Sequence, residues 1–467
     1  MTHDRPVTPR PHRTWRKPVL RALLALLALL LLAGGLAWKK AEHIVLGAEA
    51  YVFGYPLVMM DLTRDNSVRA IGPENRLRRV REFPGADFRE VVRPNVDTLY
   101  TTGFIDLHAG PWVLDMPAQD QRYEVMALLD GWTDVFAAPG TRTHGHQGGR
   151  YLLVGPQWQG EVPAGMTVLR SSTRMAWLIG RTHTRSVADY PVVHALQDRL
   201  QWVSLADWQA GLRQAPALDW KPGGVQAPPI ERMKHLNTTL FFERLMALMQ
   251  DNPARPADGP MLMKMARIGL TPGQHPDWSW LDRMAVSLGR TLADRRIAQE
   301  LAKPRDLVQG WQTPPDLLGR YGTSYNIRAV VAMIGLGANW PDDAIYPQTR
   351  VDGQGQPLSG QHRYRLHFAA GQWPPVKAFW SITVYGSDDF LQKTSRHAIG
   401  SSDALTPNAD GSLDVWIGAE APVRASERSN WLPVLSGQNF TLTARLYWPE
   451  PSALQGTWHL PAVERLD

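Results

Sequence analysis

Phe440-Thr-Leu-Thr-Ala-Arg-Leu-Tyr-Trp448 is the stretch that decides the architecture of this chain. Phe440, Leu442, Ala444, Leu446 and Trp448 alternate with Thr441, Thr443, Arg445 and Tyr447, the period of two expected of a strand with one face in a core. Leu413, Val415 and Ile417 repeat the pattern, and Asp410-Gly411 and Ser436-Gly437 supply turns ahead of strands. Along Phe379-Trp-Ser-Ile-Thr-Val-Tyr385, Ser381, Thr383 and Tyr385 share one face, while Trp380, Ile382 and Val384 share the other. Residues 346–467 thus read as a C-terminal β-sandwich of jelly-roll-like type.

Moving towards the N-terminus, residues 189–345 read as helical. Leu, Met and Ala recur at helical spacing over 189–212, 230–250, 260–269, 279–302 and 315–335. Pro228-Pro229 is placed to open one of these helices and Pro304 to close another. Residues 41–188 read as a helix followed by a second β-sandwich. Ile44, Ala48, Tyr51 and Tyr55 mark the helix, which Pro56 is expected to kink or end. Tyr123–Leu129, Tyr151–Val154 and Met175–Gly180 are short apolar runs between Pro139-Gly140, Gly148-Gly149 and Gly155-Pro156 turn signals. The fold class is therefore mixed and mainly β.

The first forty residues have a different chemistry. They carry eight basic residues and the single acid Asp4, a net of +7, which leaves −1 for the rest of a chain whose total is +6. The body is therefore nearly neutral, and nucleic acid is not an expected partner. Ala22–Trp38 is an uninterrupted apolar run of 17 residues, roughly 25 Å as a helix and near the lower limit for crossing a bilayer. The positive-inside bias keeps the basic leader, residues 1–21, in the cytoplasm and puts the body in the periplasm. The expected location is the inner membrane, with a single pass. Gly35 and Ala37 would suit a cleavable signal, but bulky Trp38 follows the candidate site, so a retained anchor is the favoured reading. There is no Cys, so disulfides, thiolate nucleophiles and cysteine-based metal sites are excluded.

Several separated strings carry a family resemblance. Ala50–Leu57, Val92–Tyr100 and Leu129-Asp-Gly-Trp-Thr-Asp134 resemble the bacterial domain of unknown function numbered 1254. Pro374-Pro375, Ala378–Tyr385, Asn408–Leu413, Asn430-Trp-Leu-Pro433 and Arg445–Pro449 resemble its usual partner, numbered 1214. The resemblance spans about residues 43–465 and implies an immunoglobulin-like N-terminal sandwich, a helical middle and a jelly-roll-like C-terminal sandwich. It implies no particular chemistry.

Candidate sites come from residue types alone. Asn95 and Asp97 share a face after Pro94, with Thr98 and Tyr100 on the other; they suit a polyhydroxy ligand, a general base at Asp97, or turn capping. Asp130, followed by Trp132, would pair with Asp97 if the two lay close, as acid and base do in glycosidases. Thr143-His-Gly-His146, with His183 and His194, is a weak metal pattern; neither metal nor cofactor is expected. Ser381, Thr383 and Tyr385, together with Thr443, Arg445 and Tyr447, would line one concave face if their strands are neighbours. Arg445 there is either a structural partner of an acid or a ligand-binding cation, and the adjacent hydroxyls favour the ligand. Ser381 as a nucleophile lacks an identifiable base. The sequence predicts an anchored envelope protein binding a small polar, anionic or sugar-like ligand, or an envelope glycan or lipid, between or within its sandwiches. The alternative is an anchored hydrolase of an ester, phosphoester or glycoside.

Overall fold

The computed structural model describes residues 16–70, 72–89, 91–213, 227–303, 306–313 and 315–467. Its first element is a helix of 55 residues, Arg16–Ala70, about 80 Å long. Its two halves meet different surroundings. Leu23, Leu24, Leu26 and Leu27 are each more than half exposed, whereas Ala50–Met60 are buried without a break. The rest of the basic leader, residues 1–15, lies outside the described residues. The helix does not end at Pro56 as the sequence suggests. Proline removes one backbone hydrogen bond, but here both flanking turns are held in a core on all sides, and that packing outweighs the loss.

Helices Pro229–His235, Thr238–Asp251, Gly259–Arg267, Trp280–Ala302 and Tyr325–Ile334 surround the buried half. The approach to Trp280–Ala302 is very close: a Cβ on Gly289 would stand 2.5 Å from the Ile44 carbonyl oxygen. Pro229 begins its helix as the sequence predicts, while Pro304 lies outside the described residues. The expected helix at 189–212 is interrupted. Gln201–Ser204 is a strand, because Trp202 and Val203 complete a sheet edge beside Trp112–Met116. The 315–335 segment is helical only over Tyr325–Ile334.

The strands form two pairs of sheets. In the N-terminal pair, Thr98–Asp106, Met175–His183 and Glu124–Asp130 lie side by side in one sheet, and Gly149–Val154, Trp112–Met116 and Gln201–Ser204 in the other. Ile105, Met126, Leu128 and Leu178 meet Leu114, Leu153 and Trp202 between them. The first sheet also packs its outer face, through Phe104, Val125, Ala127 and Leu129, on the helices. Glu124–Asp130 is therefore buried on both faces, which is why its sequence reads as a continuous apolar run.

In the C-terminal pair, Val376–Gly386 and Phe440–Pro449 are antiparallel neighbours, with Ser381 opposite Arg445 and Thr383 opposite Thr443. Trp380, Ile382, Val384, Leu442, Ala444 and Leu446 face Leu366, Phe368, Val415 and Ile417 of the second sheet. One face of this strand pair is core, as its alternation requires. The other is turned towards the N-terminal sheets.

Candidate functional site

The polar face expected to be concave and open is covered. Ser381, Thr383, Tyr385, Thr443, Arg445 and Tyr447 are all 4% exposed or less. The segment before Thr98–Asp106 lies across them. Pro94 is followed by Asn95, whose Oδ1 accepts from the backbone N–H groups of Asp97 (2.7 Å) and Thr98 (3.2 Å), an Asx turn that fixes the chain's direction. The turn aims Asp97 Oδ2 at Ser381 Oγ, which donates to it at 2.7 Å, and Asn95 Nδ2 donates to Tyr447 at 2.8 Å. Tyr385 donates to the Pro94 carbonyl at 2.7 Å.

Arg445 completes this network. Its guanidinium donates to Thr383 Oγ1 (2.7 Å), Tyr385 (2.6 Å) and the Arg93 carbonyl (3.1 Å), and its Nε stands 4.0 Å from Asp97 Oδ2. Burial pushes the Asp97 carboxyl up, and Arg445 and the Ser381 hydrogen bond pull against that shift. The ligand role expected for Arg445 is corrected accordingly: the segment carrying Asn95 and Asp97 occupies the place the ligand would have taken. Tyr100 lies beside this junction, with the Arg181 guanidinium 5.1 Å over its ring.

Asp130 and Trp132 are elsewhere. Thr98 is opposite His183 and Asp130 is opposite Ala176 on the shared strand Met175–His183, so Asp97 and Asp130 are about 23 Å apart at opposite ends of the sheet. They cannot form the acid–base pair considered from sequence. Asp130 instead accepts from Trp132 N (2.9 Å), Asp134 N (3.1 Å) and Ser172 Oγ (2.6 Å), and burial beside Asp134 pushes its carboxyl up to about 6. Trp132 is fully buried, its Nε1 donating to the Pro253 carbonyl at 3.0 Å. The four histidines do not form a ligand set, although His146 and His183 line one cleft. His144 is held by Tyr151 (2.8 Å) and His194 by the Arg81 carbonyl (2.7 Å), and among the described residues no three metal-ligating side chains come together.

An open cleft lies at the margin of the same junction, with a volume of about 370 Å³. The N-terminal sheets give it Thr141, His183 and Arg185, and the C-terminal sheets give it Lys377, Ser402 and Trp448. Among the described residues no carboxylate lines it. Among the described residues neither Lys377 nor Arg185 forms an ion pair, and Lys377 Nζ lies 5.5 Å over the Trp448 ring. Asp189, beside Arg185, is engaged by Arg122 at 2.6 Å. His183 stacks on Phe379, with centroids 3.7 Å apart and planes 11° from parallel, and its Nε2 is 2.9 Å from Ser402 Oγ. Burial pushes this imidazole down to about 3, with Arg122 and Arg185 adding to the shift. Two cleft residues have left-handed backbone, Gln121 (φ 29°) and Trp448 (φ 51°), uncommon for any side chain and a true outlier for tryptophan.

Sequence reasoning singled out Trp448 and His183 for other reasons and missed Lys377, Arg185 and Ser402. These three sit at strand ends and in turns, where no periodicity marks them.

The family model described as Protein of unknown function (DUF1254) matches residues 74–203, and the one described as Protein of unknown function (DUF1214) matches residues 343–451. No curated protein matches the chain. Among solved structures, the VPA0106 protein from Vibrio parahaemolyticus is 24% identical, covers 91% of this chain and 100% of its own, and superposes with a TM-score of 0.69, which shows a common fold. An uncharacterised protein from Burkholderia cenocepacia covers 92% of this chain and 94% of its own at 11% identity, with a TM-score of 0.45. This chain belongs to the proteins in which a DUF1254 domain is followed by a DUF1214 domain.

Proposed function

We propose that this is a membrane-anchored envelope protein that takes a small organic anion into the cleft between its two β domains. The observation that carries this reading is the lining: two cations without ion pairs among the described residues, several hydroxyls, an aromatic wall and no acid. Two exposed cations without ion pairs, and no lining acid among the described residues, favour an anionic guest, and the volume suits a molecule of metabolite size. The buried network of Asp97, Ser381 and Arg445 has a structural part in this reading, holding the cleft's two walls together. The anchor reading is supported by the exposed leucines of Arg16–Ala70 and the basic leader before them, and the positive-inside bias favours a periplasmic body. The sheet pairs are read as immunoglobulin-like and jelly-roll-like.

The test is calorimetric titration of the detergent-solubilised chain with succinate, citrate, inorganic phosphate and glucose. Saturable binding of an anion, weakened about tenfold or more in Lys377→Glu, is the expected result, since tenfold corresponds to about 1.4 kcal/mol. Equal heats for the parent and Lys377→Glu with every anion would remove the reading.

A further inference from the structure

Ser402 and His183 are contributed by different domains and meet in the cleft. We propose that they form a nucleophile–base pair that hydrolyses carboxylic esters of small anions, an active site that exists only where the DUF1254 and DUF1214 domains are docked. The charge of the substrate rests on the cleft reading above; the chemistry of the pair does not.

The geometry has the features such a pair needs. Oγ and Nε2 are 2.9 Å apart, within proton-transfer reach. Ser402 is exposed and lines the cleft, so its oxygen is accessible to a substrate. His183 is buried and cannot turn away. Its ring is stacked on Phe379, and its carbonyl accepts from Arg122 at 2.7 Å, with Arg122 itself held by Asp189. A ring stacked on one side and tethered through its backbone keeps one nitrogen on the hydroxyl. Burial and the adjacent arginines keep the imidazole neutral across the neutral range and make it a weak base, so proton transfer to it depends on the negative charge that develops on the substrate beside it.

The reaction is an acyl transfer through serine. Ser402 Oγ attacks the ester carbonyl carbon while its proton passes to His183 Nε2. The negative charge develops on the carbonyl oxygen in a cleft whose lining includes the cations Lys377 and Arg185. Collapse breaks the bond to the alcohol, which leaves with the proton from His183. Water then attacks the acyl-serine with His183 again as base, releasing the acid and restoring the Ser402 hydroxyl. Ester and water give acid and alcohol, and nothing else is consumed. Glycoside hydrolysis would require paired carboxylates, and Asp97 and Asp130 stand at opposite ends of a sheet.

The test uses the full chain in detergent with a neutral fluorophosphonate, p-nitrophenyl acetate and the half-ester p-nitrophenyl succinate. Mass spectrometry should place the phosphonyl adduct on Ser402, and Ser402→Ala should lose both labelling and turnover. His183→Gln should slow both by about 100-fold or more. Because His183 is already neutral, turnover should vary little between pH 5 and 8, where an ordinary imidazole would give an inflection near 6.5. An adduct elsewhere, or Ser402→Ala turning over at the parental rate, overturns the pair. If Ser402 is labelled but Lys377→Glu leaves the preference for succinate over acetate unchanged, the pair stands and the anion reading falls.

Discussion

Asp97 accepts a 2.7 Å hydrogen bond from Ser381, and the two residues belong to different domains, 284 positions apart in the chain. The bond forms because the Asn95 turn delivers a carboxylate to the polar side of the strand Val376–Gly386, where Arg445 stands directly opposite Ser381. A domain junction built this way is specific to one arrangement. An alternative packing would bury a guanidinium or a carboxylate without its partners.

The energetic consequence is that Arg445 behaves as a structural cation. Arg445→Ala leaves Asp97 buried with one neutral hydroxyl, and should destabilise the chain by about 3–5 kcal/mol. Urea unfolding followed by tryptophan fluorescence measures it. A variant within about 0.5 kcal/mol of the parent would refute the structural role.

Glu124 makes stability depend on pH. It is buried on the strand Glu124–Asp130, its Oε1 has no partner among the described residues, and burial pushes its carboxyl from 4.5 up to about 7. The folded chain therefore holds this proton where the unfolded chain releases it. The contribution is complete below about pH 4.5 and is lost as pH rises through 7, amounting to about 3 kcal/mol. Glu124→Gln does not titrate, so its stability relative to the parent should rise by about 3 kcal/mol between pH 4.5 and pH 8. His183, depressed to about 3, acts in the opposite sense, losing stability as pH falls from 6.5 towards 3, and is common to both proteins. A parent–variant difference that is the same at both pH values would contradict this account.

How much of this was legible in the sequence follows from the range of the interactions. The alternation over Phe440–Trp448 specified a strand because the period of two is local, and the same pattern separated core face from polar face as far as Tyr447; Trp448, at positive φ, lines the cleft instead of the sandwich core. What covers that polar face was not legible, since the covering residue Asp97 is remote in sequence and looks like any turn aspartate. That the helix runs on past Pro56 was not legible, because the cost of proline is local while the burial that offsets it is tertiary. Gln201–Ser204 was absorbed into a helix because four residues are too few to display a period. Lys377, Arg185 and Ser402 acquire meaning only from the docking of two domains.

Arg328 provides a contrast with Arg445. It is fully buried, and none of its three guanidinium nitrogens has a hydrogen-bond partner among the described residues. The group lies 5.3–5.5 Å from the rings of Phe53, Trp132 and Tyr325, and the Asp134 carboxylate is 3.8 Å away. Asp134 is already paired with Arg255 at 2.7 Å, so removing Arg328 does not orphan it. Arg328→Met fills the same aromatic cage without a buried charge and should match or exceed the parent in stability, within about 1 kcal/mol. Thermal unfolding showing a loss above about 3 kcal/mol would establish that the cation itself is required.

The long first helix can be cut in one place and not in another. Lys40 pairs with Asp282, and from there to Ala70 the helix is the spine of the core, although Lys40–Ala70 is by itself long and apolar enough to cross a membrane. A chain starting at Lys40 should fold and stay monodisperse without detergent. One starting at residue 72 should lose its core and aggregate. Gel filtration and circular dichroism distinguish the two, and a Lys40 product that only detergent keeps in solution would contradict the division.

Trp448 tests whether the cleft stores strain for function. Its φ of 51° is left-handed, a region that crowds Cβ against the carbonyl oxygen and costs about 1–3 kcal/mol for a bulky residue. The backbone is held there by the bond from Trp448 N to the Asp343 carbonyl, 2.8 Å, at the register shift where Val376 pairs with Pro449 and Phe379 with Tyr447, and the indole lies against Lys377 at the cleft wall. Glycine occupies this region freely and alanine does not. Trp448→Gly should therefore be more stable than Trp448→Ala by about 1 kcal/mol, reversing the order found where φ is negative. Both variants lose the ring, so both should bind the anion less tightly than the parent, with the affinity loss the same in each. Thermal melts rank the backbone effect and calorimetry ranks the ring. An alanine variant at least as stable as the glycine variant would show that the backbone at 448 relaxes at no cost, and the strain argument for this wall of the cleft would fail.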